Sequence, residues 1–89
     1  MRAVVTVMGK DRTGIIAKTS TLLADNGVNI LDIAQTILQD IFTMTMMVDI
    51  EKCSIGFDEL AAKLDELGRE IGLEIRIQHS DIFNSMHRI

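Results

Sequence analysis

The sequence has no proline, no tryptophan and no tyrosine, and one cysteine in 89 residues. Each shortage removes a class of function. A lone cysteine, Cys53, excludes an internal disulfide framework and any multi-cysteine metal site. Aromatic residues make up 3%, which leaves little with which to stack nucleobases. Basic residues are in the minority: nine Lys and Arg stand against thirteen Asp and Glu, for a net charge of -4. Nucleic-acid binding rests on phosphate neutralisation, so an acidic chain without a basic block is a poor candidate, and no nucleic-acid partner is expected. No apolar run approaches the roughly 20 residues that cross a bilayer, so no membrane partner is expected. The opening Met-Arg-Ala-Val-Val-Thr-Val-Met carries one charge and lacks the apolar stretch of a leader. A cytoplasmic protein is expected.

What is present suits a folded domain. Hydrophobic residues make up 47% and charged residues 25%, so the chain can repay the entropy of ordering. Its length fits one domain. Typical stability for this size is roughly 4–13 kcal/mol, modest enough for a partner subunit to matter.

Residues 2–8 are β-branched and apolar and read as a buried strand. Residues 9–14, polar and bracketed by Gly9 and Gly14, read as a loop. From Ile15 to Asp25 the period becomes helical, with Ile16, Ser20 and Leu23 sharing a face with Thr19. Asn26-Gly27 stops that helix. Residues 28–37 form a second strand, and Gln39-Asp40 a turn. Residues 41–50 alternate, with Phe42, Met44, Met46, Val48 and Ile50 on one face, and read as a third strand. Phe57, Leu60, Ala61, Leu64, Leu67 and Ile71 give the strongest helix signal, and Asp58 and Glu59 suit its positive end. Residues 73–79 alternate as a fourth strand. Ser80 or Asp81 caps a short tail helix with Ile82, Phe83, Met86 and Ile89 on one side.

The order β-α-β-β-α-β specifies an α+β, ferredoxin-like sandwich: a four-stranded antiparallel sheet with two helices on one face. Right-handed crossovers place the first and third strands centrally and the second and fourth at the edges. The expected division is a domain over 1–79 and a tail over 80–89.

The fold hosts unrelated functions, so function must come from sites. Gly9 and Gly14 have the spacing of a phosphate loop, but Ile15 and Ile16 stand where lysine and a hydroxyl are required. An RNA-recognition sheet needs aromatics on its open face, where this chain offers Arg2, Val4, Thr6 and Met8 beside Thr43, Thr45 and Met47. His79 and His87 lack a third ligand and read as packing or surface residues, so neither metal nor cofactor is expected. Cys53 has no sequence neighbour to activate it and reads as a half-buried loop residue. Met44 and Met46 read as core, while Met47 points the other way, toward a possible partner. No catalytic constellation emerges, and the chain is not expected to be an enzyme. The Gly9–Gly14 loop leads into a helix N-terminus, whose free N–H groups suit a carboxylate. An ordinary connection capped by Asp11 or Thr13 fits the sequence equally well.

The strand followed by Gly-Lys-Asp-Arg-Thr-Gly-Ile-Ile, a helix, and then Asp-Asn-Gly-Val-Asn-Ile resembles the N-terminal half of the ACT domain family, small regulatory modules of amino-acid metabolism. The chain is most similar to the small stand-alone members. It is also similar to the ACT modules of the glycine cleavage repressor and formyltetrahydrofolate deformylase. The resemblance implies an amino acid or similar metabolite bound between two subunits by the first loop and the start of the second strand. By position those residues are Asp11, Arg12, Gly14, Ile15 and Asn29. It further implies carboxylate capture by the N–H groups of Gly14 and Ile15, ammonium capture by Asp11, and an amide contact from Asn29. A homodimer is expected independently. The second strand is an edge with no Lys and no Pro, and Asp32 is its only charge. Cover by the tail, or a dimer through Val4, Met8 and Met47 on the open face, is an alternative. So is a ligand-free module that docks on a metabolic enzyme or regulator.

Overall fold

The computed structural model describes residues 1–10 and 13–80. Its elements run β1 (Arg2–Lys10), α1 (Ile15–Asp25), β2 (Asn29–Leu38), β3 (Ile41–Asp49), α2 (Phe57–Ile71) and β4 (Glu74–His79). The strands form one sheet in the order β2-β3-β1-β4, every neighbouring pair antiparallel. This is the ferredoxin-like sandwich, with β1 and β3 central and both helices on one face. The expected tail helix, and His87 with it, lies outside the described residues.

Alternation on the central strands builds the core. Phe42, Met44, Met46 and Val48 of β3 and Ala3, Val5 and Val7 of β1 are buried against Leu23 of α1 and Leu60 and Leu64 of α2. The aliphatic stripe of α2 faces the sheet, and Gly72 ends that helix in the left-handed conformation (φ 75°). Gly68 lets α2 sit close to β4: a Cβ there would lie 2.7 Å from the Leu73 carbonyl oxygen. The Gln39-Asp40 turn closes the β2–β3 hairpin, with Gln39 itself left-handed at φ 58°.

Three sequence readings need correction. The first strand does not stop at Met8: Gly9 and Lys10 pair with Phe42 and Ile41. Ladder pairing needs backbone partners rather than apolar side chains, and β3 extends far enough to supply them. The buried row of α1 is Ile15, Thr19 and Leu23, whereas Ile16 is 39% exposed. Gly14, left-handed at the cap, sets the helix start so that this i, i+4 row meets the sheet. Thr19 is accommodated there because its Oγ1 donates to the Ile15 carbonyl at 2.8 Å. Val4 does not lie on an open surface. It is 2% exposed, and its cross-strand neighbours on that face are the longer Met47 and Gln78.

The edge strand is the exception to burial. Leu31, Ile33, Ile37 and Leu38 of β2 and Ile41 beyond its turn are all exposed. Ile33 and Ile37 pair with Met46 and Phe42, so they point to the helix side of the sheet, where they stay exposed among the described residues. A register shift between Ile30 and Asp32 makes a bulge near the start of the strand.

Candidate functional site

The glycine-bordered corner sits where β1 hands over to α1. Gly14 is the N-cap, at φ 84° and ψ 6°, and among the described residues no side chain caps the helix. Thr13 therefore does not take the cap position. The first helical hydrogen bond runs from the Lys18 N–H to the Gly14 carbonyl at 2.9 Å. The N–H groups ahead of Lys18 have no acceptor within the helix and give this end a partial positive charge. A Cβ at Gly14 would meet nothing within 4 Å among the described residues. Beside the corner is a cavity of about 420 Å³ lined by Thr13, Ile15, Lys18, Glu70 and Ile71. The side chain of Ile15 is 2% exposed and belongs to the core, so its backbone alone is available to a ligand.

Asn29 opens β2 at the other end of the subunit. It pairs with Asp49, which in turn pairs with Arg2. Gly27, Asn29, Asp49, Glu51 and Lys52 line a cavity of about 500 Å³. Asp49 is held below the usual carboxylate range, chiefly by the Glu51 N–H donated to its Oδ1 at 2.9 Å. Gly27 is indispensable to this corner: it is left-handed (φ 79°), and a Cβ there would sit 2.5 Å from the Lys52 carbonyl oxygen.

The expected site residues are therefore not brought together within one chain. Gly14 and Ile15 lie beyond the Lys10 end of β1, and Asn29 lies level with the Arg2 end. The nine residues of β1 separate the two levels by roughly 26 Å. Asp11 and Arg12 lie outside the described residues. Sequence reasoning missed Lys18 and Glu70 beside one corner and Asp49, Glu51 and Lys52 beside the other. Pairs such as Lys18 and Glu70 are far apart in sequence and look like ordinary solvated helix residues. Only the packing of the start of α1 beside the end of α2 joins them.

The remaining candidates read as structural. Cys53 is half-buried against the core, and its N–H donates to the Ile50 carbonyl at 3.1 Å. The His79 ring stacks on Phe57, centroids 4.1 Å apart and planes 16° from parallel. Among the described residues, no group of three or more His, Cys, Asp or Glu could hold a metal, and no helix is long and apolar enough to cross a membrane. A larger groove of about 640 Å³ runs between the outer faces of the helices. Its rim of Lys18, Asp25, Lys63, Glu66 and Glu70 mixes both charges, as solvated helix faces do, and it contains none of the expected site residues.

A family model for the ACT domain matches residues 2–78. The chain belongs to the ACT domain family. Within it, a UPF0237 protein of Methanococcus maripaludis is 54% identical over 86 residues, covering 97% of this chain and 96% of that relative. Among solved structures, an ACT domain protein from Streptococcus pneumoniae superimposes with a TM-score of 0.82 at 38% identity, covering 93% of each chain. A formyltetrahydrofolate deformylase from Pseudomonas syringae matches 90% of this chain with a TM-score of 0.81. That likeness is one of fold, at 23% identity, and spans 28% of the deformylase. The present ACT domain thus matches short relatives end to end and matches one segment of a longer enzyme.

Proposed function

We propose that this ACT-domain chain is a stand-alone regulatory protein that binds an amino acid, or a similar small zwitterion, in a cleft shared by two copies. One observation carries the reading. The two corners expected to hold the ligand lie at opposite ends of each subunit, and the strand at the subunit edge is apolar and exposed among the described residues.

β2 and β1 each run antiparallel to β3, so they run parallel to each other. Asn29 therefore marks the end of the sheet opposite to Gly14. Pairing β2 antiparallel with the β2 of a second copy, about a twofold axis near its middle, reverses that relation. Asn29 of the partner subunit then comes level with Gly14 of the first subunit. The same pairing satisfies the free backbone groups of the edge and covers Ile33 and Ile37. Each subunit supplies half of two equivalent sites.

The chemistry of each half suits a zwitterion. The start of α1 takes the carboxylate on its backbone N–H groups. The Asn29 amide both donates and accepts, and the carboxylates of Asp49 and Glu51 attract an ammonium. A ligand of about eight heavy atoms at roughly −0.7 kcal/mol each binds near −6 kcal/mol, or tens of micromolar. That range suits a sensor of metabolite levels inside the cell, where we place the protein. Among the described residues no group is arranged to make or break a bond, and the reading is one of regulation. We take residues 1–79 as the ligand-binding unit and the rest as a tail.

Thermal-shift screening of the amino acids against the dimer tests the proposal. Stabilisation by one chemical group of them, lost in Asn29→Ala with the fold intact, supports it. A stable dimer that no amino acid stabilises refutes ligand binding and favours a docking module.

A further inference from the structure

We infer that Asn26-Gly27 is a deamidation site that the fold holds closed, and that its conversion disables the Asn29 corner. The reaction needs only water. The Gly27 nitrogen gives up its proton to solvent and attacks Cγ of Asn26, and the Cγ–Nδ2 bond breaks with release of ammonia. Water then opens the cyclic imide to aspartate or to isoaspartate, in which the main chain runs through Cβ and Cγ. Glycine after asparagine removes the side chain that would otherwise obstruct the attacking nitrogen.

One backbone torsion and three hydrogen bonds oppose this in the folded chain. Asn26 caps the end of α1 at ψ 13°, far from the near-eclipsed arrangement of Cβ and the next nitrogen that a five-membered ring requires. The attacking N–H of Gly27 is donated to the Ala24 carbonyl at 3.1 Å. The leaving Nδ2 of Asn26 is donated to the Leu22 carbonyl at 2.8 Å. The Asn26 carbonyl accepts the Ser54 N–H at 2.8 Å, which ties the segment to the loop before α2. Reaction therefore requires the last turn of α1 to open.

The product does not fit the closed structure. Aspartate at position 26 loses the donor to Leu22 and sets a carboxylate against that carbonyl at the negative end of α1. Isoaspartate lengthens the backbone beside Gly27, which already packs tightly against the Lys52 carbonyl and lines the same cavity as Asn29. Deamidation is thus an irreversible record of how often this end of the helix has opened.

Incubating the whole chain in mildly alkaline buffer, folded and in urea, followed by peptide mass mapping, tests the inference without any ligand. The Asn26 peptide is expected to gain the mass of deamidation about tenfold or more slowly in the folded chain. Equal rates overturn the protection, and no conversion in urea overturns the site. Asn26→Asp is expected to melt at a lower temperature than the wild type, and an unchanged melt overturns the claimed damage. These readouts stand whether or not an amino acid binds.

Discussion

Replacing Ile37 by lysine places a charge on the exposed edge of the sheet. Ile37 is 54% exposed in the single subunit. Full burial of an isoleucine side chain contributes about 1.5–3 kcal/mol, so covering the remaining half contributes about 1 kcal/mol. A twofold interface doubles every contact, which gives about 2 kcal/mol per dimer and about a 30-fold weaker dimer when the contact is lost. The lysine adds a second effect, because an edge charge is a standard obstacle to strand pairing. The subunit itself loses little, since more than half of the side chain already faces water. Sedimentation velocity over a concentration series, with a thermal melt beside it, reads both quantities. A folded Ile37→Lys variant that dimerises as tightly as the wild type refutes pairing through β2. A wild type that stays monomeric at every concentration refutes it as well.

Other expectations follow from the fold and the corners. Gly68→Ala pushes a Cβ to 2.7 Å from the Leu73 carbonyl oxygen and 3.3 Å from the Ile75 nitrogen, both backbone atoms. The expected loss is about 1–3 kcal/mol, read by calorimetry as a melting temperature lowered by at least about 4 °C. Met46→Ala empties a fully buried position and is expected to cost about 2–5 kcal/mol in urea titration. Asp49 has a lowered folded pKa, so its contribution is fully present above the unfolded carboxylate value and is lost as pH falls through the folded one. Melting temperature against pH is therefore expected to fall less steeply on the acid side in Asp49→Asn than in the wild type.

The fold was readable because period and punctuation agree along the chain. The helix over residues 57–71 was fully specified by its aliphatic stripe and closing glycine, and α1 by its abrupt change of period. Gly9 misled the reading: glycine marks a break in most contexts, but here it lets Leu73 approach a continuing strand, where a Cβ would collide with that side chain. The face of α1 was read correctly at Thr19 and Leu23 but was centred on Ile16 and Ser20, whereas the buried row starts at Ile15. The hydrogen bond from Thr19 to Ile15 is what permits the burial of that threonine. Of the proposed site, Gly14 and Asn29 could be named from the resemblance, and their placement at opposite ends follows from the expected strand order, since β1 and β2 both flank β3. What no local pattern showed is which side chains join each corner, such as Lys18 with Glu70, because those meet only where the start of α1 packs beside the end of α2.

Mixing two inactive variants tests the shared cleft most directly. Asn29→Ala removes one corner, and Gly14→Val fills the other at a strain of about 1–2 kcal/mol, which a domain of this size tolerates. Neither homodimer retains an intact site, but the heterodimer retains one, built from Gly14 of one subunit and Asn29 of the other. Calorimetric titration of an equal mixture with the amino acid that stabilises the wild type is expected to recover binding. The expected stoichiometry is about a quarter of that of the wild type, since about half of the dimers are mixed and each carries one site of two. Recovered binding of that size supports a cleft made by two chains. No recovery from a mixture shown to exchange subunits contradicts it.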